Sequence, residues 1–296
     1  MRQGGQLRVA VGAVTLALGL LLASSAQAKV IDVHPGYRAI QRAIDRAQKG
    51  DTLRIHGGDY NGAIVVDKRL RLTGVSKRPP LIDAQCASHF AVAVTHGGVL
   101  LRHLKVVGAD DSFESAEVDF SYQPSGTAMG LVVHDTCGAD YGINVYRGEA
   151  IHVLHNTGSG FDDSGVYIGG IVSTGGGTLL VSGNHVDRSN RGAIVEDSLQ
   201  STDIRVTDNV LSHNDIPGVG SPAGLFVHNS DGVRIARNQL DSNGDGSMGY
   251  GIHLDPNSDN NRLFDNRAHR NDTQNFLDEG TGNCGSGNSF SITPCP

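Results

Sequence analysis

Tryptophan is absent from the 296 residues, aromatic residues make up only 5%, and glutamate and lysine number five each. Glu and Lys are the usual solvent-facing helix formers, so their scarcity excludes a helix bundle, a coiled coil or a helical repeat. Acidic residues outnumber basic ones, and the net charge of −7 disfavours a sequence-independent nucleic-acid binder, so no nucleic-acid partner is expected. The four cysteines, Cys86, Cys137, Cys284 and Cys295, form no C-x-x-C pair, which removes zinc ribbons and thioredoxin motifs. After residue 28 no apolar run is long enough to span a bilayer. In abundance are 40 Gly, 26 Asp and 18 Asn. These are turn residues, and they favour many short strands joined by many turns.

The first 28 residues read as a secretory signal peptide. Arg2 and Arg8 give a basic start, Val9 to Ala23 is apolar, and Ala26-Gln27-Ala28 is a small-x-small cleavage site. The expected mature chain is residues 29–296, one domain, exported to the periplasm or beyond the cell, with no membrane partner once the signal is removed. An exported chain with an even cysteine count predicts disulfides. Cys284 and Cys295 flank a short Gly/Ser-rich segment, which pairs them and leaves Cys86 with Cys137; the other two connectivities stay open at this level.

Alternating apolar residues ending in Asn recur as IHVLHN, LLVSGN, IRVTDN, VRIARN and NRLFDN, ending at Asn156, Asn184, Asn209, Asn238 and Asn266. A second Asn follows five residues later at Asn214, Asn243 and Asn271. Between them Gly leads a second short run, as GINV, GVYI, GAIV, GLFV and GIHL from Gly142, Gly165, Gly192, Gly224 and Gly251. A unit of 25–29 residues with two strands and sharp turns has no room for a helix. The fold this predicts is all-β: a right-handed parallel β-helix, a solenoid whose coils stack about 4.8 Å apart, with stacked Asn amides at one turn. Open stack ends need covers. Ile40, Ala43, Ile44 and Ala47 make one apolar helical face, so residues 37–48 predict an N-terminal capping helix. Residues 283–296 are the expected C-terminal cap. Residues 109–126 break the repeat and read as an acidic, aromatic inserted loop forming a groove wall or lid.

The stretch from Ala39 to Val75 resembles the opening of many exported pectin-lyase-like proteins, and the repeats from Gly142 to Asn271 resemble their β-helix coils. That resemblance implies the right-handed β-helix. It implies no single activity, because the superfamily includes lyases, hydrolases, epimerases, adhesins and a periplasmic nitrous-oxide-reductase accessory protein linked to copper. "YGIHLDPNSD" from Tyr250 is also partly similar to the Asp-Pro-His motif of mannuronan C5-epimerases, with Asn257 in the place of the His.

Aligning the Gly-led strands puts Gly+1 and Gly+3 inward and Gly+2 and Gly+4 outward. The outward columns then read Asn144, Tyr167, Ile194, Phe226, His253 and Tyr146, Gly169, Glu196, His228, Asp255. Glu196, His228 and Asp255 fall in one column, where an imidazole between two carboxylates can transfer a proton as general base or acid. These three are the candidate catalytic residues. Tyr167, Phe226, Tyr146 and His253 are the candidate sugar platform. A basic column, Arg205, Arg234 and Arg262, is a candidate track for an anionic polysaccharide. Asp241, Asn243 and Asp245 have the start of a calcium loop, although position 12 is Ile252 rather than Glu; Ca²⁺ is the one cofactor this stretch would hold, and none is required. The 13 histidines show no clustered metal spacing.

The expected function is an exported β-helix protein that binds or acts on an extended, acidic polysaccharide, as lyase, epimerase or hydrolase. The alternatives are a non-catalytic envelope module for adhesion and a periplasmic accessory protein for copper delivery. Oligomeric state is left open.

Overall fold

The computed structural model describes residues 27–171, 177–198, 203–216, 222–244, 246 and 248–296. Residues 1–26 of the expected signal peptide 1–28, and Asp245, lie outside the described residues. Each coil gives one strand to each of three parallel sheets, as Ala150–Leu154, Thr157–Ser159 and Ser164–Gly169 do in turn. Sheet 1 has eleven strands and sheets 2 and 3 have nine each, wound as a right-handed β-helix. Register is set by the inward apolar positions: Ile143 pairs with Val166, then Ala193, Leu225, Ile252 and Phe276. All but Phe276 are buried, and they belong to one continuous core of Val, Ile and Leu.

The repeat asparagines fill the corners. Asn156, Asn184, Asn209, Asn238, Asn266 and Asn288 form a ladder in which each Nδ2 donates to the next Oδ1 at 2.9–3.0 Å. Each Oδ1 from Asn184 to Asn266 also accepts the backbone N–H of the preceding rung. Asn214, Asn243 and Asn271 form a second ladder at the next corner. Here the leading glycines find their reason. A Cβ on Gly192, Gly224 or Gly251 would stand 2.8–3.0 Å from a ladder amide and 2.4–2.8 Å from a neighbouring carbonyl oxygen. Gly and Asn are two halves of one corner.

The capping helix spans Ala39–Arg46, with Ile40 and Ile44 buried against the first coil. It is shorter than 37–48 because Arg38 is left-handed and Ala47 is already extended. At the far end Cys284–Ser286 adds the last strand to sheet 1, and Phe290 stacks on Phe276 at 4.3 Å. Both expected disulfides are present, Cys86–Cys137 and Cys284–Cys295. Among the described residues no helix is long and apolar enough to cross a membrane.

Residues 109–126 are not an insertion. Ala116–Asp119 is a regular strand of sheet 3, paired on one side with Phe90–Val94 and on the other with Tyr141–Tyr146. Glu117 stands opposite Gly142, and its buried carboxyl accepts the N–H groups of Gly108 and Ala109 at 2.9 and 3.2 Å. A carboxyl takes the corner that the coils from Gly192 onward fill with an Asn against a Gly, which hides this coil from the repeat.

Candidate functional site

Five adjacent strands of sheet 3 build the site: Tyr141–Tyr146, Ser164–Gly169, Arg191–Glu196, Ala223–His228 and Tyr250–Leu254. Glu196 pairs in register with His228, so the longer connection before Gly224 does not shift it. Asp255 follows the next strand and comes to 2.6 Å from His228, Oδ2 to Nδ1. Glu196 Oε1 is 3.9 Å from His228 Nε2, too far for a direct hydrogen bond. The sequence-predicted column is therefore assembled, with a tight pair at one end and a gap at the other.

Asp255 is nearly buried, and burial pushes its carboxyl up. Hydrogen bonds from the Ser258 hydroxyl and the Asn229 and Asn257 N–H groups, with the His228 charge, outweigh this and hold it below the ordinary carboxylate range. An ionised Asp255 accepts a hydrogen bond from the Nδ1–H of His228. Nε2 of a neutral ring is then a free acceptor facing the gap. Tyr167 donates its phenol to Glu196 Oε2 at 2.8 Å. Burial, reinforced by the Glu196 charge, pushes that phenol far up, so it stays protonated as a hydrogen-bond donor. Gly169 makes this reach possible, because a Cβ there would stand 2.3 Å from the Tyr167 hydroxyl.

The expected platform residues divide. Phe226 lies 5.6 Å from the His228 ring and 4.9 Å from that of His253, and the Arg191 guanidinium sits over it at 5.2 Å. Its neighbours are protein groups that brace the histidines. His253 bonds Glu279 at 2.9 Å. Tyr167 and Tyr146 instead line a cavity of about 490 Å³ on the N-terminal side of the column, together with Tyr141, Tyr122, Asn144 and Asp119. Tyr141 packs against Tyr167 with ring centroids 4.6 Å apart, and Tyr122 meets Tyr146 edge-on at 5.5 Å. Tyr141 and Arg191 escaped the sequence reading. Both occupy the position before the leading Gly, and extending the alignment by one residue finds them. Arg191 is committed to an ion pair with Asp163, whose carboxyl burial pushes up to about 6 against the charge of that arginine.

Arg205, Arg234 and Arg262 do form a column, in register. It lies on sheet 1, a different sheet from the histidine column, so the structure does not bring the arginines to the candidate catalytic residues. Arg205 pairs with Asp203, and Arg234 covers the Phe264 ring at 5.2 Å. The alternation is the same on both faces, and only the three-dimensional winding separates them. In the suspected calcium loop, Asn243 Oδ1 already accepts two N–H groups of Asn214 and Nδ2 donates to Asn271. Asn243 has no lone pair left for a cation. Asp241 accepts from Gln239 and faces Arg267 at 3.7 Å.

A right-handed coil of three parallel sheets is a pectin-lyase-like β-helix. Residues 96–294 match the family model described as "Periplasmic copper-binding protein (NosD)", and the chain belongs to that family. No curated protein sequence matches. Among solved structures, the PL6 family alginate lyase AlyGC is 16% identical with TM-score 0.57, matching 88% of this chain and 39% of its own. An alginate lyase from Paenibacillus sp. str. FPU-7 is 14% identical with TM-score 0.56, over 90% of this chain and 97% of its own. The pectate lyase Pel9A is 12% identical with TM-score 0.58, over 90% of this chain and 81% of its own. The chain thus spans well under half of the first of these, and the likeness is one of fold. A periplasmic family and two disulfides fit an exported protein.

Proposed function

We propose that the sheet 3 face binds an extended polysaccharide and that His228 moves a proton on it. The observation that carries this reading is the 2.6 Å pair of His228 Nδ1 with Asp255, itself fixed by three donors, which leaves Nε2 facing the gap before Glu196. Asp255 orients the ring. His228 Nε2 accepts the proton as general base and, as the conjugate acid, returns it to the leaving oxygen, while Tyr167 holds Glu196 opposite by a hydrogen bond. Folds of this shape occur in lyases that act on long sugar chains, which supports the substrate class. The reaction is tested by a polysaccharide screen read for both new reducing ends and unsaturated uronides. His228→Ala is expected to lower turnover roughly 10²–10⁴-fold, with Asp255→Asn lowering it in the same direction. Full turnover by His228→Ala on an identified substrate rejects the mechanism; binding without products favours an adhesion module.

The family match favours a second reading, copper delivery. All four cysteines are in disulfides, and among the described residues no three His, Cys, Asp or Glu side chains are grouped to hold a metal. The set that suits a soft copper ion is His103, Met129 and His155, which line one cavity of about 490 Å³ beside sheet 1. His103 Nε2 is engaged with the Ser76 carbonyl at 3.0 Å, and the His155 ring lies over Gly183. Both imidazoles must turn to face a shared ion. Stoichiometric Cu(I) uptake that Met129→Leu abolishes would support this reading over the first.

A further inference from the structure

The tyrosine cavity beside the histidine column has a chemistry that proton transfer does not use. Its floor carries two buried acceptors. Among the described residues the donors to Asp119 are neutral: the Ser121 hydroxyl at 2.6 Å, the Asn144 amide at 2.9 Å and the Ser121 N–H, with the ring of His89 acting on it only through its charge. Asn144 is 5% exposed, and its Oδ1 has no hydrogen-bond donor among the described residues. Glu114 adds a carboxylate at the rim. Among the described residues no lysine or arginine lines the cavity, and the one basic ring there is His89, bonded to Ser112.

A carboxylate buried among neutral groups is costly until a cation reaches it. Consistent with this, burial pushes Asp119 above the ordinary carboxylate range. Tyrosine faces attract cations as well. Arg147 already lies over the rings of Tyr122 and Tyr146, at 5.7 and 5.2 Å. A uronate would meet Asp119 and Glu114 with like charge. A quaternary ammonium has no N–H and would leave Asn144 Oδ1 unpaired. A primary ammonium has three N–H donors and suits both acceptors.

Resting on the polysaccharide reading of this face, we infer that the cavity is a subsite for an amino sugar, with the protonated amine held by Asp119 and Asn144 Oδ1 among the four tyrosines. The substrate class is then a glycan carrying free amines rather than an acidic one.

The test is calorimetric titration of the mature chain with four probes: a glucosamine tetramer, its fully N-acetylated form, an oligo-uronate of equal length, and choline. The glucosamine tetramer is expected to bind, and the other three at least 10-fold more weakly. Asp119→Asn and Tyr122→Ala should each weaken the glucosamine tetramer 10-fold or more. Tyr122 is 63% exposed, so its variant is expected to keep the fold, which thermal melting checks. Equal or tighter binding of the N-acetylated tetramer or the uronate overturns the inference. So does choline binding of equal strength, or unchanged affinity in both variants. Turnover of an acidic glycan that depends on His228, with no preference for amines, would leave the proposed reaction standing and remove only the subsite. Amine-selective binding with no turnover would do the reverse.

Discussion

At the scale of the residue, the site turns on who touches whom across neighbouring coils. Gly169 shows it best. Its column holds Tyr146 before it and Glu196 and His228 after it, and a glycine there looks like a gap in the pattern. The gap is filled sideways by the Tyr167 ring, which reaches over Gly169 to Glu196. Gly169→Ala leaves the backbone unstrained but puts a methyl 2.3 Å from the Tyr167 hydroxyl. The expected result is a displaced ring, loss of the Tyr167–Glu196 bond and turnover lowered about 10-fold or more, with the melting temperature changed little. Turnover equal to the parent chain would show that the phenol has no part in the reaction. Glu196, His228 and Asp255 were legible in the sequence because each stands four residues after a leading Gly or Arg-Gly pair, and parallel stacking converts equal offsets into neighbours. The arginines were equally legible as a column. Their face was not, since nothing in a linear repeat tells which of three sheets an outward position joins.

At the scale of the element, the corners hold the coil. Asn209 accepts from Asn184 twice and donates to Val181 and Asn238, all with both partners buried. Asn209→Ala removes these bonds and orphans two buried donors on Asn184. A loss of about 2–4 kcal/mol is expected from urea unfolding, since each orphaned group costs roughly 1–3 kcal/mol. Asn288→Ala, at the half-buried last rung, should cost clearly less; equal losses would argue that the ladder is incidental to stability. The coil that the sequence hid makes a different prediction. Burial pushes Glu117 up to about 8 from an ordinary 4.5. A carboxyl raised on folding favours the folded chain only while protonated. Stability is therefore complete below about 4.5 and falls as pH rises toward 8, where the buried group ionises. Glu117→Gln removes the titration at every pH, at the loss of one of the two backbone N–H bonds the carboxyl accepts. The variant's urea midpoint relative to the parent should rise between pH 4.5 and pH 8.5. A constant difference between the two proteins across that range would show that Glu117 does not titrate there.

At the scale of the whole molecule, a stack held by like corners is stable along its length and vulnerable where the pattern stops. The two disulfides sit at such places. Cys284–Cys295 closes a short loop, separation 11, over the last strand and the Phe290 cover. Cys86–Cys137 spans 51 residues and encloses the one coil whose corner holds Glu117 in place of an Asn against a Gly. The sequence made the pairing readable from the position of the C-terminal cysteines, yet it hid why the first bridge is where it is. That reason appears only once residues 116–119 are seen as a strand. Loop-closure entropy gives the longer bridge about 4 kcal/mol and the shorter about 3. The difference in position acts in the same direction, since freeing residues 86–137 loosens a coil inside the stack, whereas freeing residue 295 frays only its end. The Cys86→Ser, Cys137→Ser double variant should therefore lose more stability in urea than the Cys284→Ser, Cys295→Ser one. It should also weaken any ligand held by Asp119 and Tyr122, which lie within the enclosed segment. A C-terminal double variant that unfolds first, with the other unchanged, would show that the stack is opened from its end and that the inner bridge adds nothing the corners do not already supply.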